Sequence, residues 1–201
     1  MKIPQLSEKR VRELLSDELQ KWRVAILAVR GYYLNTMGKP GQNDVGQFDD
    51  AWFLVGPDGL FMAVQANCDP SKVGWNAAIG KPFAMLCPGT WQFIRGPHKG
   101  KTPALRQATD DEADFYGIPN NGHFKVWRAK SMDEVLKGKA KVEEGYYAIN
   151  VHSGNQTTTS SWGCQTAPAD RYPKFMNAVW SASKKARQDV IPYKLIDGPV
   201  S

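Results

Sequence analysis

Tyr146-Tyr147-Ala148-Ile149-Asn150-Val151-His152-Ser153-Gly154, a polar run from Asn155 to Ser160, and then Ser161-Trp162-Gly163-Cys164-Gln165-Thr166 form the most informative stretch of the chain. Tyr147, Ile149 and Val151 alternate with Ala148, Asn150 and His152, the two-residue period of a half-buried strand. The strand is expected to end at His152, where Ser153 and Gly154 break it. At the far side of the polar loop, Gly163 permits a sharp bend just ahead of a thiol. A histidine and a cysteine joined by so short a loop can reach hydrogen-bonding distance without help from distant chain. That is the minimum for thiol nucleophilic catalysis, in which an imidazole takes the proton of a thiol whose free pKa is about 8.5. Backbone N–H groups of Gly163 and Cys164 would then stabilise the oxyanion. The alternative is a structural cysteine packed beside a strand-end histidine.

A strand ending in His-x-Gly, a polar loop and Ser-x-Gly-Cys resembles the active-site signature of the L,D-transpeptidase catalytic domain, through His152, Gly154, Ser161, Gly163 and Cys164. The chain departs from that pattern in three ways. Trp162 stands in place of a second histidine, the loop is shorter, and Gln165-Thr166 occupies the place of an expected arginine. The ending Gly-Cys-Gln-Thr is similar to a divergent branch found in phage genomes. The resemblance is specific over Tyr146–Thr166 and softer upstream. It implies Cys164 as nucleophile, His152 as base, and Ser161 and Gly163 as parts of the catalytic turn, with peptidoglycan stem peptides as substrate and no cofactor. Gly96-Pro97-His98-Lys99-Gly100 followed by Ala104–Gln107 resembles the substrate-side hairpin of the same phage group, which implies His98 at the cleft. By residue type alone His98 reads equally as an exposed loop histidine. Arg106 is a candidate carboxylate-binding cation. Ser153, Trp162 and Gln165 flank the Cys/His pair and are grouped with the substrate-binding residues. The partner that orients His152 is open among Ser153, a backbone carbonyl and a distant residue.

A chain of 201 residues favours one domain, 1–201. Val24–Val29 is the longest early apolar run, too short for a membrane span or a signal-peptide core. Cytoplasmic synthesis is the expectation, with the wall reached after release. Cys68, Cys87 and Cys164 make an odd count without metal-ligand spacing, so no metal is expected. Cys68 and Cys87 read as packing thiols, with a disulfide between them left open. The net charge of +6 fits a polyanionic envelope. Lys and Arg are spread without an aromatic-interleaved stripe, so nucleic acid is not an expected partner. A monomer is expected.

Residues 7–22 read as an amphipathic helix capped by Ser7, with Val11, Leu14, Leu15, Leu19 and Trp22 on one face of the N-terminal segment 1–23. Val24–Val29 and Tyr32–Leu34 read as strand, and 35–50 as loop, with Asp44, Asp49 and Asp50 as solvated carboxylates. Ala51–Val55, a Gly-Pro-Asp-Gly turn and Leu60–Ala66 form the clearest hairpin. Phe83–Met85, Gly89–Arg95 and Ala104–Gln107 are further strands. The polar segment 108–141 reads as a surface insertion holding a strand at Phe124–Trp127 and a short helix at Ser131–Lys137. A closing helix is expected over 168–187, with Pro173 in its first turn, followed by a strand at Tyr193–Ile196 that finishes the sheet. Strands outnumber helices and come at hairpin spacing. The fold class is therefore mainly β (β-rich α+β), an antiparallel sandwich or barrel with N- and C-terminal flanking helices, the kind the transpeptidase resemblance also implies.

Three functions compete. The leading one is an endolysin-like cysteine peptidase cutting wall amides through a thioester on Cys164. A transpeptidase using an amine acceptor, and a non-catalytic phage wall-binding module with a degenerate site, are the alternatives. An activated Cys164 should alkylate faster than Cys68 and Cys87, with a midpoint below that of a free thiol. A papain-like amidase normally places its cysteine well before its histidine, the reverse of the order here.

Overall fold

A computed structural model describes residues 6–32, 42–71, 83–198 and 200. Eleven strands are described: β1 (Ala25–Arg30), β2 (Asp50–Val55), β3 (Phe61–Ala66), β4 (Phe83–Leu86), β5 (Gly89–His98), β6 (Thr102–Gln107), β7 (Phe124–Ala129), β8 (Lys141–Gly145), β9 (Asn150–Ser153), β10 (Gln165–Ala167) and β11 (Val190–Asp197). Eight of them make one mixed sheet in the order β10-β9-β6-β5-β11-β1-β2-β3. An antiparallel bridge between Asn67, just past β3, and Thr166 of β10 brings the two edges together and nearly closes the sheet. Closure pairs backbone groups that open edges would leave bare.

The hairpin β2–β3 forms as its turn chemistry predicts, with Asp58 and Gly59 at positive φ. Two pairings are parallel, β1 with β11 and β9 with β10. The last strand therefore does not finish an edge: β11 lies in the middle of the sheet, between β5 and β1. The run Val24–Val29 is continuous because β1 is buried on both faces. Ile26 and Ala28 enter the main core, while Ala25, Leu27 and Val29 face a second apolar layer with Val11 and Leu15.

That second layer is covered by the N-terminal segment, which is broken into α1 (Glu8–Leu14) and α2 (Ser16–Lys21) instead of running as one helix. The Ser7 hydroxyl accepts from the Arg10 N–H at 3.2 Å and caps α1. The closing helix is α5 (Tyr172–Lys185), with Pro173 in its first turn and Phe175, Met176 and Val179 buried in the main core. Trp180 donates from its indole to the Ala104 carbonyl at 3.1 Å, fastening α5 to β6.

Segment 108–141 is more than a surface insertion. It holds α3 (Asp110–Tyr116), closed by a Thr109/Glu112 capping box, a 3₁₀ turn, and α4 (Met132–Leu136). Between the helices, β7 pairs with β4 and β8 as a second, three-stranded sheet. Phe124 and Val126 of β7 enter the main core, because their alternation turns both inward.

Asp49 and Asp50 are buried, against the expectation of solvated loop carboxylates. Asp50 accepts the Gly31 N–H at 2.6 Å and the Cys68 N–H, so its carboxylate bridges the ends of β1 and β3. Asp69 accepts from the buried Arg30 side chain at 2.8 Å. Cys68 and Cys87 are free and buried, and the Cys68 sulfur lies 3.4 Å from the Tyr193 hydroxyl. Tyr33, Leu34 and the 35–41 part of the expected loop lie outside the described residues. No helix among the described residues is long and apolar enough to cross a membrane.

Candidate active site

The site is built on the four strands at one end of the main sheet, β5, β6, β9 and β10. Val151 and Ala167 point into the core, so alternation turns Asn150 and His152 to the opposite face. Register then assembles two rows. Arg106 lies beside Asn150, and Thr166 lies beside His152. Cys164 immediately precedes β10 and sits against Asn150, whose backbone N–H donates to its sulfur at 3.4 Å. Cys164 and His152 are therefore diagonal neighbours on parallel chains, about 8 Å apart between α-carbons given ordinary strand spacing. Their side chains make no hydrogen bond to each other.

The strand expected over 146–152 is shorter than its pattern. Ala148 takes φ +52, and regular pairing begins only at Asn150. The Gln107 side chain holds the preceding backbone instead, accepting from the Tyr147 N–H at 2.9 Å and donating to Gly145 at 2.9 Å. A non-glycine residue in the left-handed region beside a thiol is strained backbone at the site.

The turn carrying Cys164 is fixed from both sides. Ser161 is buried, and its hydroxyl donates to the Cys164 carbonyl at 2.6 Å and accepts from the Gly163 N–H at 3.0 Å. Its own carbonyl accepts the Ser71 N–H at 2.7 Å, tying the turn to the segment after β3. Gly163 has φ +135, and a Cβ there would run into the Ala84 carbonyl oxygen, so only glycine fits. Because Ser161 consumes the Gly163 N–H, that group is not an oxyanion donor, contrary to expectation. The Cys164 N–H has no partner among the described residues and remains available.

His152 is buried to 9% exposure, and its Nδ1 lies 2.8 Å from the Ser153 carbonyl oxygen. That geometry places the proton on Nδ1 and leaves Nε2 as a free base. The orienting partner is thus the Ser153 backbone; the Ser153 hydroxyl turns away to the Gly154 carbonyl at 2.9 Å. Burial is the main cause that brings the His152 imidazole down to about 4, with His98 and Lys99 adding to it. Burial also raises the Cys164 thiol, an effect that the Asn150 N–H opposes. The resting pair is neutral thiol and neutral imidazole. Both directions argue against an alkylation midpoint below that of a free thiol.

The remaining expected site residues divide. His98 ends β5 and stacks on His152, with ring centroids 4.1 Å apart and planes 10° from parallel, so the two histidines come together. Trp162 is 64% exposed beside the thiol and meets Phe83 edge-on. Arg106 faces the site side but is taken up by Glu112, which accepts from its guanidinium at 2.7 Å in a two-pronged pair. Gln165 is fully buried and is no substrate contact. Its amide donates to Gly163 at 3.1 Å and accepts from the Tyr193 hydroxyl at 3.0 Å, bracing the turn from the core side. Asn150 and Lys99 were not singled out from the sequence; the alternation that places Asn150 beside His152 was the available signal for the first. Among the described residues no group of three or more His, Cys, Asp or Glu side chains is placed to hold a metal ion.

No protein-family model matches the chain, and no curated protein or solved structure matches it at a significant level.

Proposed function

We propose that the protein is a cysteine peptidase of the bacterial wall, built on a divergent L,D-transpeptidase-type scaffold, with Cys164 as nucleophile and His152 as general base. The observation that carries this reading is the placing of one partly exposed thiol, just before β10, and one imidazole of the paired strand β9, its Nε2 free, on the same sheet face. Cys68 and Cys87 have no such neighbour.

The cycle follows from the protonation states. The Cys164 S–H proton passes to His152 Nε2 as sulfur attacks an amide carbonyl carbon. The oxyanion takes the Cys164 N–H. His152 returns the proton to the leaving nitrogen, the C–N bond breaks, and a thioester remains on Cys164. Water then attacks the thioester carbon, giving a proton to Nε2; the C–S bond breaks, the carboxylic product leaves, and Nε2 returns that proton to the Cys164 sulfur. A positioned base of this kind contributes about 10²–10⁴-fold. An amine in place of water would make the same site a transpeptidase. Hydrolysis is favoured by the likeness of Gly163-Cys164-Gln165-Thr166 to the phage branch.

The test is digestion of purified sacculi by wild type and Cys164→Ala, with mass spectrometry of the released muropeptides. Soluble fragments from wild type alone support the reading and identify the bond. Equal release by the variant removes it.

A further inference from the structure

We infer that Lys99, at the tip of the β5–β6 hairpin, is the cation that binds a carboxylate of the substrate beside the scissile amide. The inference rests on the reading of Cys164 and His152 as a peptidase pair. It narrows that substrate to peptides carrying a free carboxylate next to the bond cut.

Sequence makes Arg106 the expected anion contact, but its guanidinium is occupied. Glu112 grips it with both carboxylate oxygens and draws its own carboxyl down to about 2, mainly through that contact. A substrate carboxylate would have to displace a bidentate partner to use Arg106. Lys99 carries no such partner. It is exposed, and no hydrogen bond or ion pair engages its ammonium among the described residues.

Its position is fixed by the turn. His98 pairs with Thr102 across the hairpin, and the Lys101 N–H donates to the His98 carbonyl at 3.1 Å. Lys99 thereby follows directly on the ring that lies flat against His152. The stack anchors the hairpin tip over the base, and the lysine projects from that anchor. The consequence is visible in the charge balance of the site. The Lys99 cation acts on His98, on His152 and on Cys164 alike, disfavouring both imidazoliums and favouring the thiolate. A flexible ammonium on the residue that follows the stacked His98 suits a mobile peptide carboxylate better than a fixed arginine fork would.

The experiment compares wild type, Lys99→Gln and Lys99→Arg in two assays. In the first, Cys164 is alkylated in parallel with iodoacetate and with iodoacetamide, which differ chiefly in charge. The iodoacetate-to-iodoacetamide rate ratio should fall about threefold in Lys99→Gln at low ionic strength, from the loss of one unit charge across partly solvated space. It should recover in Lys99→Arg, and the difference should shrink in high salt. In the second, wall-derived peptides with a free and with an amidated flanking carboxylate are cleaved. Lys99→Gln should raise KM for the free acid several-fold more than for the amidated peptide, whose smaller change reports only the loss of the lysine's effect on the thiol and the imidazoles. An unchanged reagent ratio, or equal effects on both peptides, overturns the inference. Absence of cleavage of either peptide by wild type removes the peptidase reading and its substrate assignment together. The reagent ratio then still decides whether Lys99 sets the charge preference of the thiol.

Discussion

Two cysteines of this chain sit a few residues from the same closing bridge, yet their surroundings make them opposites. Cys68 follows Asn67 and Cys164 precedes Gln165-Thr166, and Asn67 and Thr166 are the bridged pair that nearly closes the sheet. Cys68 turns into the core, fully buried, with Tyr193 and the Asp50–Asp69–Arg30 group around it. Burial drives its thiol well above the ordinary value, the Asp50 carboxylate beside it adds to the rise, and no imidazole touches it among the described residues. Cys164 turns to the other face, partly exposed, with a backbone N–H on its sulfur and an imidazole diagonal to it. Residue type and neighbourhood in sequence do not separate the two. Side of the sheet and access do.

The comparison breaks most sharply by substitution at each thiol. Cys164→Ala should abolish sacculus digestion, a loss of at least about 10³-fold, while shifting thermal stability little because the side chain is only half-buried. Cys68→Ser should retain most activity per folded molecule but lower stability by about 1–3 kcal/mol, since the smaller hydroxyl leaves a void in sealed packing and draws back from Tyr193. Thermal melts read beside digestion rates check both.

His152→Gln should lower kcat by about 10²–10⁴-fold. In wild type the acidic limb of the rate profile should follow the imidazole near 4 instead of the ordinary 6.5. His152 must be neutral to act, so activity is lost as pH falls through that value. A limb near 6.5 would separate the measured group from this histidine.

Gly163→Ala sharpens the comparison through the turn that sets the side of the sheet. A Cβ at φ +135 facing the Ala84 carbonyl should cost about 2–4 kcal/mol and displace Cys164. Chemical denaturation and the Cys164 alkylation rate should change together.

The smallest effect belongs to the sealed carboxylates. Burial raises Asp49 to about 7 from 3.8, so the folded chain prefers this side chain protonated. Its contribution to stability is full below about 4, fades between about 4 and 7, and is absent above. Asp49→Asn keeps an acceptor for the Asp44 N–H and removes the charge, so it should stabilise the chain at pH 8 by about 1–2 kcal/mol with no gain at pH 4. Urea midpoints at the two pH values test the sign.

Much of this was legible from local pattern. The hairpin β2–β3, the capped N-terminal segment and α5 follow from turn residues and helical spacing, which act over a few residues. That Cys164 and His152 share one end of the sheet accords with the short loop, but the hydrogen-bonding distance expected between them is not reached. What escaped was set by distant chain. The central place of β11 comes from its pairing with β1, near the other end of the sequence, and with β5, in its middle. The Gln165 side chain looks like a site residue until Tyr193, 28 positions on, claims it. Tyr147 and Ile149 carry the period of a strand, but the Gln107 side chain takes the backbone bond that a neighbouring strand would have supplied. The carboxylates of Asp49 and Asp50 read as loop charges because nothing local announces the burial that the Gly31 and Cys68 N–H groups accompany.

The central claim is that the Cys164 sulfur becomes acylated in the course of the reaction. Wild type mixed with a wall-derived peptide, quenched in acid within the first turnovers and digested for peptide mapping, should carry the acyl half of the substrate as a thioester on Cys164. An acyl group mapped to any other residue, or fragments released with no adduct on Cys164 and undiminished in Cys164→Ala, would contradict it.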